Sequence, residues 1–184
     1  MSQQYQNISS SNTASNQKIV GNIIRNESVS SIIKLNDDEK KRVAIFEAAH
    51  VYSAFLLNVF VKKVTLIPSG QFLGHTLLDH GQKTIWDNEY KEKIMTILLA
   101  GRASEVHFLQ SPSTLTEDNF KKLKEIANSL TICSEKKARE EEIKTTCNRC
   151  NEQATNLIKN NSNAIEKCAQ EYLSRRPSSI NDEI

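Results

Sequence analysis

The chain is poor in the features that mark several common protein classes. Only five glycines occur in 184 residues, at positions 21, 70, 74, 81 and 101, and none falls in a G-x-x-x-x-G-K-[ST] phrase. A P-loop for nucleotide phosphates is therefore not encoded in these residues. Long apolar runs are missing as well: the longest, "VYSAFLLNVFV", ends at Lys62-Lys63. It is too short for a membrane-spanning helix, which needs about 20 apolar residues. An excess of one charge is absent, with 24 Lys and Arg against 22 Asp and Glu interleaved in phrases such as "DDEKKR" and "SEKKAREEEIK". Such mixing describes solvated helix faces and argues against nucleic acid as a partner. The N-terminal stretch has no apolar h-region, so no secretory signal is expected, and the expected compartment is cytoplasmic or otherwise reducing and soluble.

Cysteine is present but in an incomplete pattern. Cys133, Cys147, Cys150 and Cys168 lie in the C-terminal third, and Cys147-Asn-Arg-Cys150 is a C-x-x-C without a second one. Within a long helical pattern the two thiols fall one turn apart on one face. Reduced thiols packed between helices are the favoured reading over a zinc knuckle or redox pair.

What is present begins after a polar tail. Residues 1–17, rich in Ser, Asn and Gln, offer too little apolar surface to offset the entropy of ordering and are expected to be disordered. Residues 18–35 carry the apolar pairs Ile19-Val20, Ile23-Ile24 and Ile32-Ile33 and read as a linker or docking segment; residues 36–184 read as the domain. Asn36 is the expected N-cap of a helix over 37–58, with acids in its first turn facing the orphan amides and the positive end of the dipole. "VKKVTLIPSG" and "FLGHTLLDH" then read as two short extended segments forming a small hairpin. Helical period resumes after Asp87 and continues in stretches at about 116–133, 135–160 and 163–174. Gly101 lies inside the helix that follows Asp87, where a glycine costs about 1 kcal/mol relative to alanine. It is expected to admit another backbone. The fold class is mainly α, with a small β-hairpin packed by the first helix.

That first helix contains Phe46-Glu47-Ala48-Ala49-His50, one residue short of the zinc-protease pattern H-E-x-x-H. In that pattern two histidines ligate zinc and the glutamate takes a proton from the metal-bound water. Taken alone, Val43, Phe46, His50, Ala54 and Leu57 also make an ordinary helical stripe.

The order of motifs goes further than any one of them. "LNDDEKKRVAIFEAAH", "VKKVTLIPSGQFLGHT", "ILLAGRASEVHF" and the closing helices resemble, over about residues 35–184, the peptidase domain of FtsH-type AAA+ zinc metalloproteases. The resemblance implies zinc, an ATPase module, a hexamer and a peptide-aligning strand. It also shows what is altered here. Carried over, the first ligand falls on Phe46, the general base on Glu47 and the second ligand on His50. The third, an Asp in the family, falls on Asn119, with Asp118 one residue early. The expectation is a catalytically inactive pseudoprotease without zinc, in which Glu47 is idle and Leu73, Gly74, His75 and Thr76 form a peptide-binding edge. Its partner would be a protein or peptide, either an active FtsH-type hexamer or another copy of the chain. Two alternatives stand beside this. One is a residual zinc metalloendopeptidase with a site rebuilt from residues such as His50, His75 and Asp118, His80 being a further candidate. The other is a structural subunit of an oligomer.

Overall fold

The computed structural model describes residues 35–68, 73–81, 86–111 and 117–174, all within the unit Leu35–Ile184. The side chains of Glu117, Asp118 and Phe120 are outside the description, and so are the expectations for residues 1–34. The described elements are α1 (Asp37–Leu56), β1 (Phe60–Thr65), β2 (His75–Asp79), α2 (Asn88–Leu109), α3 (Glu117–Leu130), α4 (Lys136–Asn160) and α5 (Ser162–Ser174). The mainly α class with one small antiparallel hairpin is as the sequence predicts.

α1 begins where its capping residues place it. The Asn36 side chain accepts from the Glu39 amide at 2.9 Å, and the Glu39 carboxylate accepts from the Asn36 amide at 2.8 Å. This reciprocal box satisfies two donors that a helix start leaves orphaned. The helix ends two residues before the expected 58, because Asn58 takes a left-handed φ of 55°. Asparagine tolerates that conformation, and the chain then reverses into β1.

α2 is the central element. Every residue from Ile94 to Gly101 is buried, and only a helix covered on several sides can carry apolar residues round its whole circumference. α1, α3 and α4 pack on it, and α5 packs chiefly on α1. Thr96, fully buried, donates its hydroxyl proton to Gln153 of α4 at 3.1 Å, which satisfies the one polar side chain in that stretch. The C-x-x-C pair lies on α4 as expected. Cys150 is buried against α2, its thiol 3.9 Å from the Glu92 carbonyl, and Cys147 is half-buried. Burial pushes both thiols up from their ordinary pKa, which suppresses thiolate and fits packing rather than redox chemistry.

The hairpin pairs Phe60 with Asp79 and Thr65 with His75, and a bulge interrupts the register between Val61 and Lys63. Leu73 and Gly74, expected in the extended edge, form a bend before β2. At the far end, His80 Nδ1 lies 2.9 Å from the Tyr90 hydroxyl, and its ring packs on Trp86 at 4.7 Å. Burial, then the nearby Lys122 ammonium, lowers the His80 pKa, with Asp79 opposing.

α1 and α2 run antiparallel and are pinned at one end by Arg42, whose guanidinium lies 3.0 Å from the Glu105 carboxylate. Glu105 is only 1% exposed. Arg42→Ala is expected to lower unfolding stability by about 1–3 kcal/mol, because it removes a charged hydrogen-bond partner from a buried carboxylate, as urea titration would measure. His80 generates an expectation of opposite pH sense to a typical ion-paired histidine. Its folded pKa lies below the ordinary 6.5, so its neutral form contributes full stability above that value and the contribution is lost as pH falls through the folded pKa. Thermal melts from pH 7.5 to 5 should show this decline, and His80→Gln should flatten it.

Candidate functional site

The helical stripe of α1 faces inward: Val43, Glu47, His50 and Ala54 are buried and Phe46 is half-buried. Residues 46 and 50 lie one turn apart on the same face, so the two rings stack along the helix. Their centroids are 4.6 Å apart at an interplanar angle of 70°, an edge-to-face contact. Opposite them stands Gly101 of α2. A Cβ there would come within 2.7 Å of His50 Nε2 and of two Phe46 ring atoms. The close approach expected at Gly101 is therefore made by two side chains and not by a backbone. Arg42 is one turn below Phe46 and Glu105 one turn beyond Gly101, so the ion pair and the ring contact belong to one helix–helix seam. Ser104 adds to it, donating to the Gly101 carbonyl at 2.6 Å and lying 3.5 Å from that of Ile45.

Glu47 points from the same turn toward the hairpin. Its Oε2 accepts from the Thr76 hydroxyl at 2.6 Å and lies 3.6 Å from His50 Nδ1. Gly74 sits directly on it: a Cβ would fall 2.9 Å from Glu47 Oε1 and 2.6 Å from a Val43 methyl. The structure thus brings Phe46, Glu47 and His50 together with Gly101, Gly74 and Thr76. Thr76 as the partner of Glu47, Gly74 as a contact and the Arg42–Glu105 pair are not apparent from the sequence, although all of them lie inside the quoted motifs.

The other candidates go elsewhere. His75 pairs with Thr65 on the exposed face of β2. His80 is engaged with Tyr90 and Trp86, and Asn119 stands half-buried in the first turn of α3.

The scaffold is that of a helical metallopeptidase, with a metal-type helix seated on a glycine of its neighbour and covered by a hairpin. A family model described as Peptidase family M41 matches residues 33–133, and the chain belongs to that family. It is similar to the ATP-dependent zinc metalloprotease FtsH of Acidimicrobium ferrooxidans, 36% identical over 75 residues, which are 39% of this chain and 11% of that protein. The ATP-dependent zinc metalloprotease FtsH of Cupriavidus metallidurans is 34% identical over 100 residues, 52% of this chain and 15% of that protein. The mitochondrial inner membrane m-AAA protease component YTA10 of Saccharomyces cerevisiae is 33% identical over 100 residues, 52% of this chain and 13% of that protein. The chain thus spans between 11% and 15% of the length of these relatives. Among the described residues no helix is long and apolar enough to cross a membrane.

The two FtsH relatives are zinc metalloproteases by name, and the donors present here decide whether that ion fits. His50 Nε2 is buried without a hydrogen-bond partner, as one ligand nitrogen would be. Its neighbours are a phenyl ring and Gly101, and a phenyl ring has no lone pair to give. Among the described residues no group of three His, Cys, Asp or Glu side chains is placed to hold a metal, whereas a catalytic zinc takes three protein ligands and water. The described donors do not fit the ion.

If the ring contact locks the seam, its two sides must be energetically coupled. Gly101→Ala is expected to destabilise by about 2 kcal/mol through overpacking. In a Phe46→Ala background, where only the His50 contact remains, the same change should cost measurably less, a non-additivity that a denaturation double-mutant cycle resolves.

Proposed function

We propose that this M41 domain is a pseudoprotease: metal-free, catalytically inactive, and kept as a protein- or peptide-binding module. The observation that carries the reading is the Phe46 ring, packed on His50 and against Gly101 at the first ligand position. An aromatic there removes a ligand and fills space beside the second one. Glu47, which would deprotonate metal-bound water in an active relative, then has no activated water to act on.

The binding role rests on β2. Its edge away from β1 has no strand partner among the described residues, and Leu77 on its outer face is exposed. An extended segment can add to such an edge through main-chain hydrogen bonds. The partner proposed is another M41 peptidase domain, in a second copy of this chain or in a catalytically complete relative, or a peptide that such an assembly handles. The compartment proposed is a reducing one, in keeping with cysteines that form no disulfide among the described residues.

Zinc per chain, measured by elemental analysis on protein purified without chelator or nickel, tests this. The wild type is expected to carry none, and a Phe46→His, Asn119→Asp double variant to approach one ion per chain. Stoichiometric zinc in the wild type would overturn the reading in favour of a rebuilt metallopeptidase site. Cleavage of a casein substrate that Glu47→Gln abolishes would confirm that alternative.

A further inference from the structure

On the metal-free reading Glu47 has no activated water to act on, yet its side chain is closely engaged. It is 3% exposed, and an isolated carboxylate at that depth is costly unless hydrogen-bonded. Its bonding partner comes from the hairpin: Thr76 donates to Oε2 at 2.6 Å. On its other side Gly74 lies so close that even a methyl would fall 2.9 Å from Oε1 and 3.0 Å from Cγ. Two positions, two residues apart, are thus seated on one side chain of α1.

The hairpin needs such a seat. Two strands alone are marginally stable in water, and the ladder here is broken by the bulge between Val61 and Lys63. On β1 Val64 is buried in the core, while β2 brings half-buried Leu78 to it, and His75, Leu77 and Asp79 face outward. A polar contact that ties β2 to α1 is the Thr76 hydroxyl on Glu47. A charge-assisted hydrogen bond of this length is both stronger and more directional than a neutral one. A one-residue slip of β2 would point Thr76 away from α1 and bring a side chain where only Gly74 fits.

We propose that Glu47 is a positioning residue in this chain: through Thr76 and Gly74 it sets the register and height of β2 on α1, and so presents the strand edge at which a protein segment pairs. The proposal deepens the binding role assigned to β2 and rests on it. The carboxylate inherited from a water-activating position serves here as an acceptor that holds a strand.

Amide hydrogen exchange on the full chain tests this, with zinc assayed on the same wild-type sample. Glu47→Ala and Thr76→Val are each expected to speed exchange over His75–Asp79 by about tenfold or more, while amides of Ile94–Ala100 keep their protection. The Glu47→Ala, Thr76→Val double variant should exchange no faster than either single one. Thr76→Ser, which keeps the hydroxyl, should stay near wild type, a rescue that simple loss of side-chain volume would not give. Thr76→Val alone decides if Glu47→Ala fails to fold. Wild-type exchange over His75–Asp79 in Thr76→Val, or an equal rise in Thr76→Ser and Thr76→Val, overturns the proposal. Zinc in the wild type together with the local exchange response would overturn the metal-free reading while leaving Glu47 as the anchor.

Discussion

The structure depends on how closely α1 approaches α2 at Gly101. The Phe46 and His50 rings occupy the space that a side chain on α2 would otherwise take. A glycine in a buried helix interior sacrifices about 1 kcal/mol of helix propensity, so its presence needs a packing reason. Here the reason is visible in atoms. Around that contact the seam extends one turn in the direction of Arg42 and Glu105, and α2 in turn supports α3 and α4. Anything that pushed the two helices apart would disturb the hydrogen bonding of a nearly inaccessible carboxylate at the other end of the seam.

The same turn of α1 also faces the hairpin, so α1, α2 and the hairpin meet at six residues, Gly101 among them. Phe46 and His50 address α2; Glu47 addresses Thr76 and Gly74. On the proposed reading, this arrangement explains how the scaffold stands without an ion. A zinc ion cross-links its ligands and contributes folding energy by doing so. An edge-to-face ring contact of about 0.5–1.5 kcal/mol beyond its buried area cannot match a metal, but it needs no ion and supplies packing in the same place.

Much of this was legible in the sequence, for identifiable reasons. The helix after Asp87 and the C-terminal helices carry helical periodicity, and their bounds agree with the structure to within a few residues. The bend at Leu73 and Gly74 escaped because "FLGHTLLDH" reads as one extended run, and only the tertiary contact with Glu47 shows why the chain turns there. Gly101 was flagged by its helix-breaking cost, but cost alone does not reveal whether a backbone or a side chain fills the space. The partnership of Arg42 with Glu105 spans 63 residues and has no local signature at all. The expectation that Glu47 is idle rests on catalytic chemistry alone. That chemistry says nothing about which neighbour its carboxylate bonds, and only the tertiary structure names Thr76.

That distinction bears on how altered enzymes are read. Membership of the M41 family describes a chain's ancestry and fold, and function must be argued from the site. Within this turn of α1 the side chains divide: Phe46 and His50 meet α2 at Gly101, while Glu47 turns toward the hairpin and accepts a hydrogen bond from Thr76. On the proposed reading, phenylalanine can stand at a ligand position because the seam uses an apolar ring. Glu47 has no such freedom. Replacing it with an apolar residue would leave the Thr76 hydroxyl without its acceptor and the bend at Gly74 without the surface it rests on. On the proposed reading, the constraint that maintains this carboxylate is the placement of a strand, and catalysis is not needed to account for it.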